Sequence, residues 1–119
     1  MRITDLFKWT KGRQGTGYEK LTLLLSRRLK LDAYIICLPT GVDVPRHTDP
    51  AVPGFGHHRI NITLRAPKRG GVTYIQGSDG SSHRAPRAYK FRPDEQVHYV
   101  TRIDEGELWL FSIGWLWRK

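Results

Sequence analysis

Residues 59–65 read Arg-Ile-Asn-Ile-Thr-Leu-Arg, and this stretch decides the fold class. The odd-numbered positions are polar, and the even-numbered positions are the apolar residues Ile60, Ile62 and Leu64. Successive side chains of a β-strand point to opposite faces, so this alternation predicts a strand with one polar and one apolar face. We expect the polar face to line the wet interior of a barrel. The alternative is an edge strand whose arginines face solvent.

The segments around this strand also predict β-structure. Short apolar or alternating runs, bounded by turn-forming residues, lie at 34–38, 72–76, 89–92, 96–103 and 107–115. Turns are expected at 39–41 and at 104–106, the latter between the last two strands. Loops that could face a substrate are expected at 51–58, which contains His57 and His58, and at 77–88. About seven or eight short strands predict a barrel or a sandwich.

The segment before these strands follows a helical pattern instead. Thr16 and Glu19 have the spacing of a capping box, in which each side chain satisfies a free backbone N–H group of the other residue. Leucines recur on one helical face at positions 21, 24, 25 and 29, and basic residues follow at 27, 28 and 30. The sequence therefore predicts one N-terminal helix packed outside a mainly-β barrel, all in a single domain of residues 1–119.

Composition places the chain among globular proteins. Of its 119 residues, 39% are hydrophobic and 26% are charged, which excludes a disordered chain. No apolar run approaches the ~20 residues of a membrane span, and the N-terminus lacks the apolar stretch of a signal peptide. Cys37 is the single cysteine, so no internal disulfide can form. We expect a buried thiol in a cytoplasmic protein that does not enter membranes.

The charge balance is strongly basic. The chain has 20 lysines and arginines against 11 acidic residues, a net charge of +9. Such a surface attracts anions, which include nucleic acid, acidic protein and small polycarboxylates. Composition alone does not select among these partners.

Residues 45–50, Pro-Arg-His-Thr-Asp-Pro, carry the clearest chemical signal. His47 and Asp49 are two positions apart, so in an extended segment both side chains point to the same side. His98, in a predicted strand near the C-terminus, is the best third ligand for a divalent metal. Two histidines and one carboxylate form the facial triad of non-haem iron enzymes, which leaves metal positions open for substrate and O₂. The alternative is a loop in which His47 simply hydrogen-bonds Asp49.

These motifs occur in the order typical of a known family. The matching segments are 39–41, 47–49, 59–64, 70–71, 93–94, 98–100 and Gly106. In this order the chain resembles the Fe(II)/2-oxoglutarate-dependent oxygenases, most closely the prolyl 4-hydroxylase-like and aspartyl/asparaginyl hydroxylase-like branches. The resemblance implies a double-stranded β-helix, which is a jelly-roll, cupin-like barrel. It also implies Fe(II) bound by His47, Asp49 and His98.

The resemblance further implies 2-oxoglutarate as cosubstrate. Its far carboxylate is bound in that family by a basic residue, often a short distance after the second metal histidine. The corresponding residues here, 107–110, contain no lysine or arginine, and this is the main departure from the family pattern. Arg59, with Asn61 on the same face, and Arg102 are the available substitutes. A guanidinium suits this role because two parallel N–H groups can bind one carboxylate.

The expected activity is therefore hydroxylation of a C–H bond with 2-oxoglutarate and O₂. A peptidyl substrate fits the branch resemblance, and an acidic protein or a nucleic acid fits the charge. The first alternative is a cupin-like metal barrel with other chemistry. The second is a non-enzymatic, basic nucleic-acid-binding barrel, and the third is a degenerate member of the family without turnover.

The C-terminal strand carries an aromatic stripe. Trp109, Trp115 and Trp117 alternate with Phe111 and Ile113 on one side. Such residues could stack on nucleic-acid bases. A stripe of this kind more often belongs to the core or to a dimer face.

Overall fold

The chain folds as antiparallel β-sheets in this computed structural model, which describes residues 9–11, 19–26 and 30–118. No helix occurs in these three segments. They form twelve strands: β1 Trp9–Lys11, β2 Glu19–Ser26, β3 Leu31–Leu38, β4 Val44–His47, β5 Phe55–Arg65, β6 Arg69–Gly70, β7 Thr73–Gln76, β8 Ser82–Arg84, β9 Ala88–Phe91, β10 His98–Val100, β11 Ile103–Glu105 and β12 Leu108–Arg118.

The strands are arranged in three sheets. A six-stranded sheet has the order β1-β2-β3-β12-β5-β9, a four-stranded sheet has the order β4-β10-β7-β8, and β11 pairs with β6. Every paired strand is antiparallel to its neighbour. The two larger sheets pack face to face, which gives the jelly-roll architecture expected from the sequence.

The core lies between these two sheets. Leu38, Leu108 and Leu110 from the six-stranded sheet cluster with Val100 and Ile103. Ile103 is completely buried, and Leu38 and Leu108 are 2% and 3% exposed. Burial of each such side chain contributes about 1.5–3 kcal/mol to folding. This cluster therefore helps to hold the sheets together, and Leu38, Val100 and Leu110 also line the cavity described below.

The predicted N-terminal helix is wrong where its residues are described. Residues 19–26 form β2, which pairs with β3 through Leu21–Ile35 and Thr22–Tyr34. A shift of register between Thr22 and Leu24 inserts an extra residue into the strand. Backbone pairing with β3 outweighs local propensity here. The remainder of the predicted helix, at 16–18 and 27–29, lies outside the described residues.

Most predicted strands are confirmed, although their first or last residues differ from the predicted ones. Segments 34–38, 72–76, 89–92 and 107–115 correspond to β3, β7, β9 and β12. Segment 96–103 was predicted as one strand but divides into β10 and the start of β11, which turns away to pair with β6. The last turn therefore narrows to Gly106, whose positive φ of 94° suits glycine.

Two predicted loops contain strand residues. The 77–88 loop includes β8, the edge strand of the four-stranded sheet. The 51–58 loop ends early, since β5 begins at Phe55 and includes both His57 and His58. β5 is paired on both sides, with β12 and β9, so the alternative of an edge strand does not hold.

The aromatic stripe of β12 lies on the outer face of its sheet. The inward positions are Leu108, Leu110 and Ser112, which are at most 5% exposed. The tryptophans alternate with these residues and are partly or largely exposed, and Trp117 is 66% exposed. Cys37 is buried, as predicted. Within the described part of the chain, no helix has the length and hydrophobicity of a membrane-spanning segment.

Candidate metal centre

A β-bulge aims the first histidine into the barrel. Along β10, two residue steps separate His98 from Val100, whereas their partners on β4, His47 and Val44, are three steps apart. The extra residue lets both Val44 and His47 face inward, because it reverses the alternation of side chains between them. His47 and His98 therefore lie side by side on adjacent strands, with ring centres 4.2 Å apart.

Three ligand atoms converge at this point. Nε2 of His47 is 3.6 Å from Oδ1 of Asp49, and Nε2 of His98 is 3.4 Å from Oδ2 of the same carboxylate. One potential ligand atom from each of the three residues lies within 4.8 Å of the others. The structure therefore brings together the three residues that the sequence selected.

The imidazole rings of His47 and His98 are both oriented by a hydrogen bond at Nδ1, the nitrogen that faces away from Asp49. Nδ1 of His47 is 2.7 Å from the carbonyl of Pro45, and Nδ1 of His98 is 2.9 Å from the carbonyl of Gln96. A carbonyl can only accept, so each Nδ1 carries the proton and donates it. Each Nε2 then presents its lone pair to the shared centre, which is the usual way in which a protein orients metal-binding histidines.

The loop that carries Asp49 is anchored to the segment before β10. The backbone N–H of Asp49 donates to the carbonyl of Pro93 at 2.7 Å, and Pro93 is fully buried. Next to it, Arg92 binds Asp94 with two hydrogen bonds of 3.1 and 2.9 Å and also donates to the carbonyl of His57. The Pro-Asp pair noted in the sequence therefore supports the site without contacting its centre.

The carboxylate of Asp49 is held in its charged form. Burial raises the pKa of Asp49, but the hydrogen bonds and charge that His47 and His98 supply when Nε2 is protonated outweigh it and hold the pKa well below the usual range. A metal bound at Nε2 would take the place of those protons. An anionic oxygen with two neutral imidazole nitrogens is a donor set that first-row divalent metals accept, Fe(II) among them. The residues present therefore fit such an ion.

A cavity of about 300 Å³ extends from this centre into the barrel. That volume is at the lower end of small-molecule pockets, which suits a compact ligand. Its walls near the metal centre are apolar, with Ile75, Phe91 and Val100, and Phe91 meets the His98 ring edge-on at 5.0 Å. Its other wall is polar and includes Arg59, Asn61 and Ser112.

Arg59 lies on this polar wall. Its guanidinium donates to the Ser112 hydroxyl at 2.6 Å and to the Asp32 carboxylate at 2.5 Å, and its side chain is 12% exposed. Gly114 on β12 makes room for it, since a Cβ at that position would collide with the guanidinium. The prediction that Arg59 faces the barrel interior therefore agrees with the structure, and Asp32 already balances its charge.

Asn61 is buried beside Arg59, and one end of its amide has no partner. It is 7% exposed, and its Nδ2 is 3.1 Å from the Tyr89 hydroxyl. Among the residues that the structure describes, its Oδ1 has no hydrogen-bond partner. Since the two ends of an amide are exchanged by a simple flip, one buried end of Asn61 is unpaired in either orientation.

Lys20 and His57 also line the cavity, although residue 20 falls within the predicted helix and residue 57 within a predicted loop. Nζ of Lys20 lies 4.4 Å from the centre of the Tyr34 ring. Burial lowers the pKa of Lys20, and the nearby charge of Arg59 lowers it further, although Asp32 opposes this. Burial and then Arg59 lower the pKa of His57 in the same way. Alternation along β2 and β5 could have found both residues, had these strands been predicted there.

Arg102 does not join the other predicted residues. It is exposed in the segment between β10 and β11, and it is not part of the cavity wall. The strand ends at Val100, so the regular alternation that would have aimed Arg102 inward stops two residues too early. His83 is exposed, and its Nε2 lies 3.1 Å from Oδ1 of Asp79.

Comparison with known proteins finds proteins that are similar to this chain in structure but none that is similar in sequence. No model of a protein family matches, and no curated protein matches by sequence. Among solved structures, a prolyl-4-hydroxylase from Pseudomonas putida aligns with a TM-score of 0.69 and 16% identity, over 94% of this chain and 78% of that one.

Two further solved structures share this architecture. The cupin domain of Schizosaccharomyces pombe Cnp3 aligns with a TM-score of 0.59 and 11% identity, over 91% of this chain and 67% of that one. An oxalate oxidase bound to the substrate analogue glycolate aligns with a TM-score of 0.64 and 13% identity, over 92% of this chain and 56% of that one. The chain therefore has a cupin-like fold. The names of these structures differ, and a fold alone does not fix an activity, so the activity of this chain must be argued from its site.

Proposed function

We propose that this chain is an Fe(II)- and 2-oxoglutarate-dependent dioxygenase that hydroxylates a C–H bond. One observation carries the proposal: His47, Asp49 and His98 converge at a cavity whose opposite wall holds the buried cation Arg59. A metal triad and a buried guanidinium in one small cavity are the two features that binding of an oxo-dicarboxylate needs.

The metal would be held by three residues on one side. Nε2 of His47, Nε2 of His98 and a carboxylate oxygen of Asp49 supply the donors, while the carbonyls of Pro45 and Gln96 keep the rings oriented. When bound, Fe(II) supplies the redox chemistry that couples decarboxylation of 2-oxoglutarate to hydroxylation of the substrate. Ile75 and Phe91 keep water away from that chemistry, because their side chains form the wall beside the triad.

The polar wall would bind the far carboxylate of 2-oxoglutarate. Arg59 offers further N–H groups beyond those that Asp32 and Ser112 accept, since a guanidinium has five. The unpaired amide end of Asn61 adds a second polar group, and Lys20 adds a second positive charge. We therefore assign Arg59 and Asn61 to the cosubstrate and name Lys20 as the basic residue that the sequence did not reveal.

The substrate class is proposed more broadly. A peptidyl substrate agrees with the hydroxylase-like site, and an acidic protein or nucleic acid agrees with the net charge of +9. We place the activity in the cytoplasm, where a reduced Cys37 and ferrous iron are both maintained.

One observation favours a second candidate, a cupin-like metal barrel with different chemistry. Asp32 neutralises Arg59, and residues 107–110 offer no other cation after His98. If Arg59 binds the far carboxylate of a dicarboxylate only weakly, the cavity could instead accept a smaller acid that binds through the metal alone.

Anaerobic titration of the metal-free protein tests both candidates. Fe(II) is added first and 2-oxoglutarate second, and the weak visible absorption of the metal–oxo-acid chelate is followed. We expect the band in the native protein and in the control His83→Ala, which removes an exposed histidine that belongs neither to the triad nor to the cavity wall. We expect its loss in His47→Ala. Metal binding without the band would favour the second candidate, and no metal binding would refute the proposed site.

A further inference from the structure

The outer face of the four-stranded sheet carries a row of four basic and aromatic side chains. Tyr99 on β10 pairs with Tyr74 on β7, and Tyr74 pairs with Arg84 on the edge strand β8. Arg46 on β4 completes the row on the other side. We call these four residues the Arg–Tyr row. Arg46, Tyr74 and Arg84 do not line the cavity, whereas Tyr99 contributes to its wall next to His98. His98 and Ile75 alternate with the two tyrosines and line the cavity, so the row follows the outer face of the sheet.

Three members of the row are stacked. Cζ of Arg46 lies 4.3 Å from the centre of the Tyr99 ring. The rings of Tyr99 and Tyr74 are nearly parallel, with centres 5.2 Å apart and planes at 18°. Tyr99 therefore has a partner on both of its faces. Among the described residues, Tyr74 has a ring partner only on the side of Tyr99, so its other face, towards Arg84, can accept another planar group.

The two arginines at the ends of the row are exposed. Within the described part of the chain, neither forms a salt bridge with an acidic residue, although Arg46 makes a long hydrogen bond of 3.5 Å with the Tyr99 hydroxyl. Adjacent strands lie about 4.8 Å apart, so three spacings place the two guanidiniums on the order of 14 Å from each other. The row thus has positive charge at both ends and aromatic rings between.

We propose that the Arg–Tyr row binds single-stranded nucleic acid. A base stacks on the open face of Tyr74, and backbone phosphates pair with Arg46 and Arg84. Stacking on an aromatic ring suits any base, and guanidiniums bind phosphate with paired N–H groups. The net charge of +9 adds a general attraction to the phosphate backbone. An acidic peptide would use the arginines equally but would gain little from the tyrosine pair.

This site is independent of the proposed enzymatic function. It uses the outward residues of β4 and β10, whereas the triad uses the inward residues next to them, His47 and His98. A strand bound through Arg46, Tyr74 and Arg84 would use three residues that do not line the cavity. Binding can therefore be measured in EDTA, where the metal centre makes no contribution.

Fluorescence anisotropy with a labelled oligothymidylate tests the proposal. We expect Tyr74→Ala to weaken binding by about five- to hundredfold, the range for loss of one stacked base, and Tyr74→Phe to retain binding. Arg84→Ala should weaken binding and reduce the slope of log affinity against log salt by about one. The matched control is Arg65→Ala, which removes an exposed arginine from the other sheet.

Several results would overturn the proposal. They are absence of binding to the native protein, equal losses in Arg84→Ala and Arg65→Ala, and unchanged affinity in a folded Tyr74→Ala variant. If Tyr74→Ala does not fold, the comparison of Arg84→Ala with Arg65→Ala decides. Displacement of the oligonucleotide by polyglutamate at the same charge concentration would identify an acidic protein as the partner and refute the role of stacking.

Discussion

Replacement of Asp32 by asparagine should lower stability and raise the affinity for a dicarboxylate. Asp32 accepts a hydrogen bond from Arg59, and the two side chains are 24% and 12% exposed. Asparagine has nearly the same shape and can still accept from the guanidinium, so Arg59 should keep its position. The substitution removes the negative charge that now competes with a ligand for Arg59.

The two effects can be estimated from the contact. A hydrogen bond between charged groups is worth about 1.5–3 kcal/mol, and asparagine retains part of it, so we expect the free energy of unfolding to fall by about 1–2 kcal/mol. A ligand carboxylate about 7 Å from Asp32 would be repelled by ~2 kcal/mol at an effective dielectric near 20. Solvent screening reduces this value, which leaves about a tenfold gain in affinity for 2-oxoglutarate.

Urea denaturation measures the first effect, and the chelate titration at constant salt measures the second. The matched control is Asp43→Asn, which removes an exposed carboxylate outside the cavity and should change neither quantity by much. A loss of 2-oxoglutarate affinity in folded Asp32→Asn would show that Asp32 orients Arg59 rather than competing for it. An unchanged affinity would remove Arg59 from the cosubstrate site.

Three further substitutions or measurements follow from the same contacts. Gly114→Ala should displace the Arg59 guanidinium and weaken 2-oxoglutarate binding at least tenfold without loss of metal, and equal titrations of both proteins would contradict this. Asp94→Asn should lower metal affinity by about 10–100-fold, the range for loss of a residue that supports a metal ligand. The reason is that Arg92 then no longer fixes the segment to which the Asp49 loop is anchored. Co(II) titration measures the affinity, and a native value would refute this supporting role of Asp94. Burial, with help from Glu107, raises the pKa of the Cys37 thiol to about 11, so alkylation of the folded protein at pH 9 should be far slower than in urea. As the pH rises, the Cys37 thiol loses its proton at a lower pH in the unfolded chain than in the folded protein. The contribution of Cys37 to the free energy of unfolding should therefore be complete below about pH 9 and fall as the pH rises towards 11.

The sequence was most informative where local pattern and tertiary packing agree. The alternation in residues 59–65 identified an interior-facing Arg59 and Asn61, because a strand paired on both sides keeps its period of two. The buried runs of β3 and β12 were equally clear. These segments are stabilised by burial of one face, and the spacing of their apolar residues therefore shows which face is buried.

The sequence was misleading where pairing partners decide. Residues 19–26 have helical spacing but pair with β3, and the extra residue in that pairing cannot be recognised without the partner strand. Lys20 was therefore missed as a cavity residue. Arg102 was assigned to the site for the opposite reason, since the alternation from His98 was extended beyond the end of β10 at Val100.

By itself, the sequence determined the residue types of the site, the β class of the fold and the charge of the surface. A His-x-Asp pair and a distant histidine suggest a metal at any separation along the chain. Only the tertiary structure decided that the bulge in β4 turns His47 towards His98, that Asp32 already occupies Arg59, and that two tyrosines stack on the outer face of the four-stranded sheet. These are relations between strands far apart in sequence, and register, bulges and charge pairing across a sheet are set by the whole packed barrel rather than by any local stretch.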